Sequence, residues 1–483
     1  MALAVGGCAV GPDFQRPAAP TDTGYTPQPL ATQTAAVNTR GGNAQHFVPA
    51  QDIPGEWWAL YHSQPLNHLI GQSLHANPDL DAAQAALREA QENVRAEQGA
   101  LFPQANVSLQ AQRQNLSGAT FGEPNLHTTF SLVTPSLNIS YAPDVFGGVR
   151  RQIESLQAQA EFQRFQVEAA YLTLTSNVVV AAVQEASLRG QITATQDIIH
   201  DQTQELNLVR QRFTLGGASQ ADVLQQEAQL QQTRATLPPL QKQLAQTRNQ
   251  LTALAGQLPA HEVSETFELD SMHLPEDLPV SLPSQLIEQR PDIRAAEAQL
   301  HAASAEIGVA TANQLPQFTI SAALGTAASG FTNMFAPGTG TWSIAGGIAQ
   351  TLFDAGTLLH KKRAAVAAFE QTAAQYRSTV IKACQNVADA LRALQADADA
   401  MVAQANAERA AAASLDLARR QYQLGAIDYL TLLNAQRTWQ QARISLVQAQ
   451  ANRYADTAAL FQALGGGWWH RADVAVADAT KQP

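Results

Sequence analysis

Arg290-Pro291-Asp292-Ile293-Arg294-Ala295-Ala296-Glu297 opens a stretch that closes on Leu315-Pro316-Gln317, and the same text stands earlier in the chain as Asn77-Pro78-Asp79-Leu80 through Phe102-Pro103-Gln104. The two stretches align without a gap at a shift of 213 residues (290 minus 77). Phe213-Thr214-Leu215-Gly216 matches Tyr422-Gln423-Leu424-Gly425 at a shift of 209 (422 minus 213). Asp144-Val145-Phe146-Gly147-Gly148 resembles Thr351-Leu352-Phe353-Asp354-Ala355 at a shift of 207 (351 minus 144). Ordered matches at a nearly constant shift mark an internal duplication, which fixes the architecture before any single element is assigned. Each half reads helix, strand, strand, long helix, tight turn, helix.

Pro78 and Pro291 suit the first turn of a helix, where a missing N–H costs nothing. Between 149 and 215 there is no proline and Gly190 is the only interior glycine; between 357 and 424 there is neither. Helices of that length reach roughly 100 Å at about 1.5 Å per residue. Phe369, Ala373, Tyr376, Val380, Ala383, Val387, Ala390 and Leu394 alternate spacings of four and three, as do Ile444, Val447, Ala451, Tyr454, Ala458 and Phe461. That is a heptad seam, and its many alanines let helix axes come close. Pro238-Pro239 is expected to interrupt and kink the helix that starts after Ser219.

The strands are shorter. Phe318, Ile320, Ala322 and Leu324 alternate with Thr319, Ser321, Ala323 and Gly325. Trp342, Ile344, Gly346 and Ile348 alternate with small residues, and Leu137, Ile139 and Tyr141 with Ser136, Asn138 and Ser140. One apolar and one small or polar face is the pattern of a transmembrane barrel. The connectors, near 114–128 and 326–341, are rich in Gly, Ser, Thr and Asn. Four strands cannot close a barrel, which takes about eight at the least, so several chains share one.

Composition narrows the classes. The chain has 483 residues and a formal net charge of -11, from 41 acidic and 30 basic residues. A nucleic-acid partner would need a basic face, and none is offered. No run of 18 apolar residues exists to form a membrane-crossing helix, so a membrane crossing is left to a closed barrel. Residues 18–50, rich in Pro, Thr, Ala and Gln, read as an extended, poorly ordered arm, and the last dozen residues read as equally loose. Cys384, between Ala383 and Gln385, reads as a small buried hydrophobe. Cys8 follows Leu3-Ala4-Val5-Gly6-Gly7, like the end of a bacterial lipoprotein signal, and is the expected lipid attachment residue. The basic segment that opens a signal peptide is missing, so the true start is expected upstream of Met1.

Several of these motifs together resemble the TolC-like outer membrane factors, in the lipoprotein branch that serves resistance-nodulation-division multidrug pumps. They are Cys8-Ala9-Val10-Gly11-Pro12-Asp13-Phe14 with Arg16-Pro17, Trp57-Trp58 with Leu66 and Leu69, the Arg290 to Glu297 stretch, Leu352-Phe353-Asp354, and Leu464-Gly465-Gly466-Gly467-Trp468. The resemblance covers Cys8 to Trp469. It implies a mainly α fold with a β-barrel part: a homotrimer with four transmembrane strands per chain and long coiled-coil helices forming a periplasmic tunnel. An equatorial belt would come from about 20–76, 257–289 and 465–483. The expected divisions are 1–8 (signal remnant and acylation site), 9–76 (arm and equatorial segment), 77–256 (first repeat), 257–289 (equatorial linker), 290–464 (second repeat) and 465–483 (equatorial tail). The implied partners are outer membrane lipid, a periplasmic adaptor protein and an inner-membrane transporter. The implied function is a passive exit duct for drugs or other small toxic compounds.

No nucleophile triad, phosphate loop or metal cluster stands out, so no enzyme activity, cofactor or metal is expected. His68 and His75 lie seven apart on a helix with surface flanks. Lys361-Lys362-Arg363 opens the second long helix, as a solvated face or near anionic groups. Leu215-Gly216-Gly217 and Leu424-Gly425-Ala426 each stop a long helix as glycine does at a C-cap. In the resembled family these tips form the periplasmic end, where the adaptor docks and the aperture closes. Asp222 would line that gate with Tyr422 and Asn434. Ser219-Gln220-Ala221-Asp222 is also a capping-box pattern, and one carboxylate can cap and face a lumen. Where some members carry Asp and a basic residue, this chain has Asn434 and Ile427, which implies a gate with fewer ion pairs. Two other readings stay open: a duct for type I protein secretion or heavy-metal efflux, and a pore-less coiled-coil adaptor or scaffold.

Overall fold

The computed structural model describes residues 9–471, apart from 50, 123, 124 and 126. Cys8 and the tail 472–483 lie outside the described residues. In chain order the elements are β1 (His46–Pro49), α1 (Gln64–Ala76), α2 (Pro78–Gln98), β2 (Gln104–Ser117), β3 (His127–Tyr141), α3 (Gly148–Thr214), α4 (Gln220–Leu254), β4 (Asp277–Val280), α5 (Pro283–Gln289), α6 (Pro291–Ala312), β5 (Gln317–Thr326), β6 (Gly340–Ala349), α7 (Thr357–Gln423) and α8 (Tyr429–Ala463). The run α2-β2-β3-α3-α4 recurs as α6-β5-β6-α7-α8. The long helices α3 and α7 each have 67 residues, and α4 and α8 each have 35. Two compact units result. One takes residues up to Pro17, Ala86–Arg164 and Ala295–Arg377; the other takes Ala18–Ala85, Phe165–Arg294 and the chain from Ser378 on.

The first unit holds a four-stranded antiparallel sheet in the order β2-β3-β5-β6. Its register aligns the alternation of all four strands. Leu109 faces Pro135, Leu137 faces Leu324, and Leu324 faces Trp342, all on one side. Asn106 faces Asn138, and Asn138 faces Ala323, on the other. A slip of one residue would mix the faces, so the sequence pattern dictates the register. The strands run slightly longer than expected from the connector compositions, with 114–117 and 127–128 also paired.

The structure corrects one of the sequence matches. The turn glycines Gly147 (φ 76°) and Gly356 (φ 87°) and the helix starts Gly148 and Thr357 correspond at a shift of 209, not 207. The strand register agrees, because Ser140 pairs with Gln104 as Ala349 pairs with Gln317. Phe146 and Phe353 are therefore alike in sequence without occupying equivalent positions.

The second unit is built on helices. Trp57 stacks on Phe461, with ring centroids 5.3 Å apart. The buried Tyr61 hydroxyl donates to the Tyr454 carbonyl (2.8 Å), and the Tyr454 hydroxyl to the Met272 carbonyl (3.2 Å). Along α7 the predicted seam is buried at Tyr376, Ala383, Val387, Ala390 and Leu394, and along α8 at Ala451, Tyr454, Ala458 and Phe461. The arm is not loose, which corrects the compositional reading. β1 pairs in parallel with β4, and Thr34 and Gln45 are buried. The cause is Arg453, a fully buried cation that composition cannot reveal. It donates to the Gly41 carbonyl (2.7 Å), the Thr34 hydroxyl (3.1 Å) and the Gln45 side-chain oxygen (2.9 Å). Taking such a charge out of water is costly unless its donors are met, so the arm must fold around it.

Two further expectations change. α4 runs through Pro238 and Pro239 as one helix instead of stopping there. Both rings are exposed, as are Arg234 and Ala235, whose carbonyls lose their partners to water rather than to a buried void. Cys384 is half-buried rather than buried; its partial burial pushes the thiol up. One window of α3 is apolar enough by composition to cross a membrane, with a mean hydropathy of 1.2, but half of it is buried within the fold. Val178, Val179, Ala182 and Val183 are such core residues.

Candidate functional site

Two surfaces carry chemistry: one face of the sheet, and the tips of the two helix hairpins. The sheet face is set by alternation alone. Val107, Leu109, Leu137, Ile139, Ile320, Leu324, Trp342, Ile344 and Ile348 are all exposed, Trp342 at 76% and Val107 at 83%. A contiguous apolar surface of this size on a paired sheet is what a bilayer covers. The other face is polar and uncharged along its middle. Ser108 and Ser136 bond hydroxyl to hydroxyl (2.9 Å), and the Asn138 amide donates to Ser108 (3.1 Å).

Both hairpin tips share one backbone design. Gly217 N–H donates to the Arg212 carbonyl (2.8 Å), as Ala426 N–H does to the Gln421 carbonyl (2.8 Å). Gly216 (φ 77°) and Gly425 (φ 75°) occupy the left-handed position that this helix stop requires. Leu215 and Leu424 project from the tips at 86% and 84% exposure, and Gly216, Gly217, Gly425 and Ala426 are exposed beside them.

After each stop the next helix is capped by a side chain. Ser219 N–H donates to Asp222 Oδ2 (2.8 Å), and Asp222 N–H donates to Ser219 Oγ (3.2 Å), a full capping box. The second hairpin uses Asp428, which accepts from Thr431 N–H (2.8 Å) and Oγ1 (2.5 Å). The Thr431 bonds hold the Asp428 carboxyl below its ordinary value. Sequence reasoning passed over Asp428. The signal was available, since the 209 shift aligns it with Ser219 as an N-cap.

Inward of the caps lies a small apolar cluster of Val209, Leu415, Ala418, Tyr429 and Leu432, with Tyr422 against it. Tyr422 tilts against Tyr429 (5.5 Å) and lies under the Arg212 guanidinium (5.0 Å). The Tyr429 hydroxyl bonds to the Gln226 side-chain oxygen. Burial pushes that hydroxyl well above its ordinary value, and Glu205, Tyr422 and Asp222 add to the shift. Of the three predicted gate residues, Tyr422 packs against Tyr429, whereas Asp222 is held in the cap of α4 by Ser219. The third, Asn434, is exposed on α8 and is not part of that cluster; its carbonyl accepts from the Thr438 hydroxyl (2.9 Å).

The sequence reading also missed Glu205, whose carboxyl is pushed up by burial against the pull of Arg419. Gln436 donates to it from α8. Arg443 pairs with Asp197 (2.8 Å) and Arg437 donates to the Gln229 oxygen (2.5 Å), tying the two hairpins together. Such long-range partners have no spacing signature in the sequence. Among the described residues, no group of three His, Cys, Asp or Glu is placed to hold a metal ion. His68 instead bonds to Glu265 (2.6 Å) at the surface.

The family model described as "Outer membrane efflux protein" matches residues 69–257 and 282–466. The chain is 29% identical over 487 residues to the toluene efflux pump outer membrane protein TtgF of Pseudomonas putida, covering 97% of this chain and 96% of that one. It is 29% identical to the cation efflux system protein CusC of Escherichia coli O6:H1, with 97% of both covered. Among solved structures, the outer-membrane channel OprN superposes with a TM-score of 0.85 at 27% identity, covering 95% of this chain and 100% of that one.

Proposed function

The chain belongs to the outer membrane efflux protein family, and from that membership we propose how its duct is assembled and what it meets. The protein is an outer membrane channel of an efflux pump, with the TolC-like fold. Three copies, the number the resemblance implies, close one barrel between them. One observation carries this reading. The sheet has an exposed apolar face, while β2 and β6 each pair on one side only. Unpaired backbone in a bilayer costs several kcal/mol per group by roughly the desolvation scale, so those edges need partners. A pore-less scaffold needs neither feature, and that reading is set aside.

The finer assignments follow from the same premise. The hairpin tips, with Leu215, Gly216, Gly217, Leu424, Gly425 and Ala426, meet a periplasmic adaptor, which links the duct to an inner-membrane transporter. Their exposed leucines and unobstructed glycines suit close approach by another backbone. Asp222, Tyr422 and Asn434 line the periplasmic aperture. Acylation of Cys8 anchors the chain to outer membrane lipid. The belt segments 20–76, 257–289 and 465–483 flank the two repeats, 77–256 and 290–464. The exported cargo is drugs or other small toxic compounds, a reading supported by the relative named for toluene; the relative named for cation efflux supports heavy-metal export as the second reading. Deleting the gene in its host and measuring retention of a fluorescent efflux dye tests this. Retention rises, and the intact gene restores export. Unchanged retention, with no other duct expressed, overturns the reading.

A further inference from the structure

Two histidine rings meet at the wall of a cavity in the helical unit. His62 follows the turn Trp57–Tyr61, and His273 stands between α4 and β4. His273 N–H donates to the Tyr61 carbonyl (2.9 Å), so the two backbones are tied beside both rings. The residues before them, Tyr61 and Met272, are buried and pinned through one partner. The Tyr61 hydroxyl donates to the Tyr454 carbonyl (2.8 Å), and the Tyr454 hydroxyl donates to the Met272 carbonyl (3.2 Å). Ser63 and Leu274, just after, are buried too, which leaves both imidazoles exposed and turned outward together. Their ring centroids stand 5.4 Å apart, tilted by 58°.

Backbone and charge both set this pair apart. His62 has a φ of 48°, in the left-handed region that glycine enters freely and a side chain enters at a cost. Strain of this kind persists where the surroundings fix it, and it gathers at ligand sites. The cavity has a volume of about 730 Å³. Among the described residues its lining includes the carboxylates of Asp52, Glu276 and Asp277 and no lysine or arginine, a field that favours a cation. A third imidazole on the wall, His470, is already engaged, with its Nε2 2.6 Å from Asp52 Oδ2.

We propose that His62 and His273 together bind a borderline divalent transition-metal ion, such as Cu²⁺, Zn²⁺ or Ni²⁺, in a two-imidazole site completed by water. Imidazole suits these ions. An ion about 2.0 Å from one nitrogen of each ring, with the bonds near the tetrahedral angle, puts the centroids about 5 Å apart, close to the spacing found. Among the described residues no third His, Cys, Asp or Glu converges on the pair, so the site is open and the ion exchangeable. A bound ion would clamp the turn after Trp57-Trp58 to the segment between α4 and β4. The inference stands on this cavity and does not depend on which compound the duct carries.

Full-length protein, extracted in mild detergent and purified without a histidine tag, tests the site with Cu²⁺ as the probe. Substoichiometric Cu²⁺ is expected to give an electron paramagnetic resonance spectrum split by two imidazole nitrogens. His62→Gly removes one ring and suits a φ of 48°, so the fold survives it; His273→Gln removes the other ring. Each is expected to leave a single coupled nitrogen and to weaken Cu²⁺ binding. Loss of an outer-shell partner already costs about 10–100-fold in metal affinity, so loss of a ligand costs at least as much. His68→Gln, whose ring bonds to Glu265, is expected to change neither reading. A two-nitrogen spectrum that survives His62→Gly or His273→Gln, or no imidazole-bound Cu²⁺ in the unsubstituted protein, overturns the site and leaves the rings a packing contact.

Discussion

Single residues at the hairpin tips and along α7 and α8 separate charge from packing. Ser219→Ala removes the hydroxyl that caps α4 and is expected to cost about 1 kcal/mol, read as faster hydrogen exchange in the first turn after Ser219. Asp222→Asn keeps the Ser219 bond and removes only the charge. If Asp222 lines the aperture, cation selectivity and divalent block in planar bilayers fall; unaltered values leave it a helix cap. Asp456 on α8 makes a different prediction. It shares a hydrogen bond with Asp397 of α7, and burial, with that neighbour, pushes its carboxyl up to about 7 from 3.8 despite Arg453 nearby. The folded protein therefore holds this proton more tightly than the unfolded chain. Its stabilising contribution is complete below 3.8 and is lost as pH rises through about 7. Melting temperature is expected to decline from about pH 4 to about pH 7 and to level off above that, and Asp456→Asn to flatten that slope. An identical slope in the variant would remove Asp456 as its cause.

At the scale of elements, glycine at the tips does more than end a helix. Gly425 lies at a φ of 75° with nothing within 4 Å of an added Cβ. Gly425→Trp therefore carries local backbone strain of about 1 kcal/mol but meets no neighbour in its own chain. Assembly is expected to survive and efflux of a dye to be lost; normal efflux at normal expression would count against docking at the tips. The elements themselves were largely legible. Proline-free runs marked α3 and α7, and alternation at Ile320, Leu324, Trp342 and Ile344 marked the sheet. Local signals failed where long-range partners decide. Arg453 orders an arm whose Pro- and Thr-rich text reads as loose. Exposed Pro238 and Pro239 sit in a helix that other contacts hold together. The match of Phe146 to Phe353 misled because similar words stand two residues apart in the two turns: in the 209 frame Phe146 corresponds to Ala355. At the tips, Leu215, Gly216, Leu424 and Gly425 were readable from the repeat, whereas Glu205 with Gln436 needed the fold.

For the whole molecule, the two sheet faces make opposite demands. Leu109→Arg puts a charge on the apolar face and is expected to cost about 2–4 kcal/mol at mid-bilayer, read as loss of outer membrane insertion. Gln110→Arg, one residue along on the polar face, is expected to insert normally. Equal insertion of both would contradict the orientation. These faces and the open edges of β2 and β6 converge on one claim: the chain completes its barrel only with copies of itself. The most direct test is the mass of the native assembly, measured on protein extracted from outer membranes in mild detergent. A mass of three chains is predicted. A mass of one chain, from protein correctly folded and inserted, would contradict it.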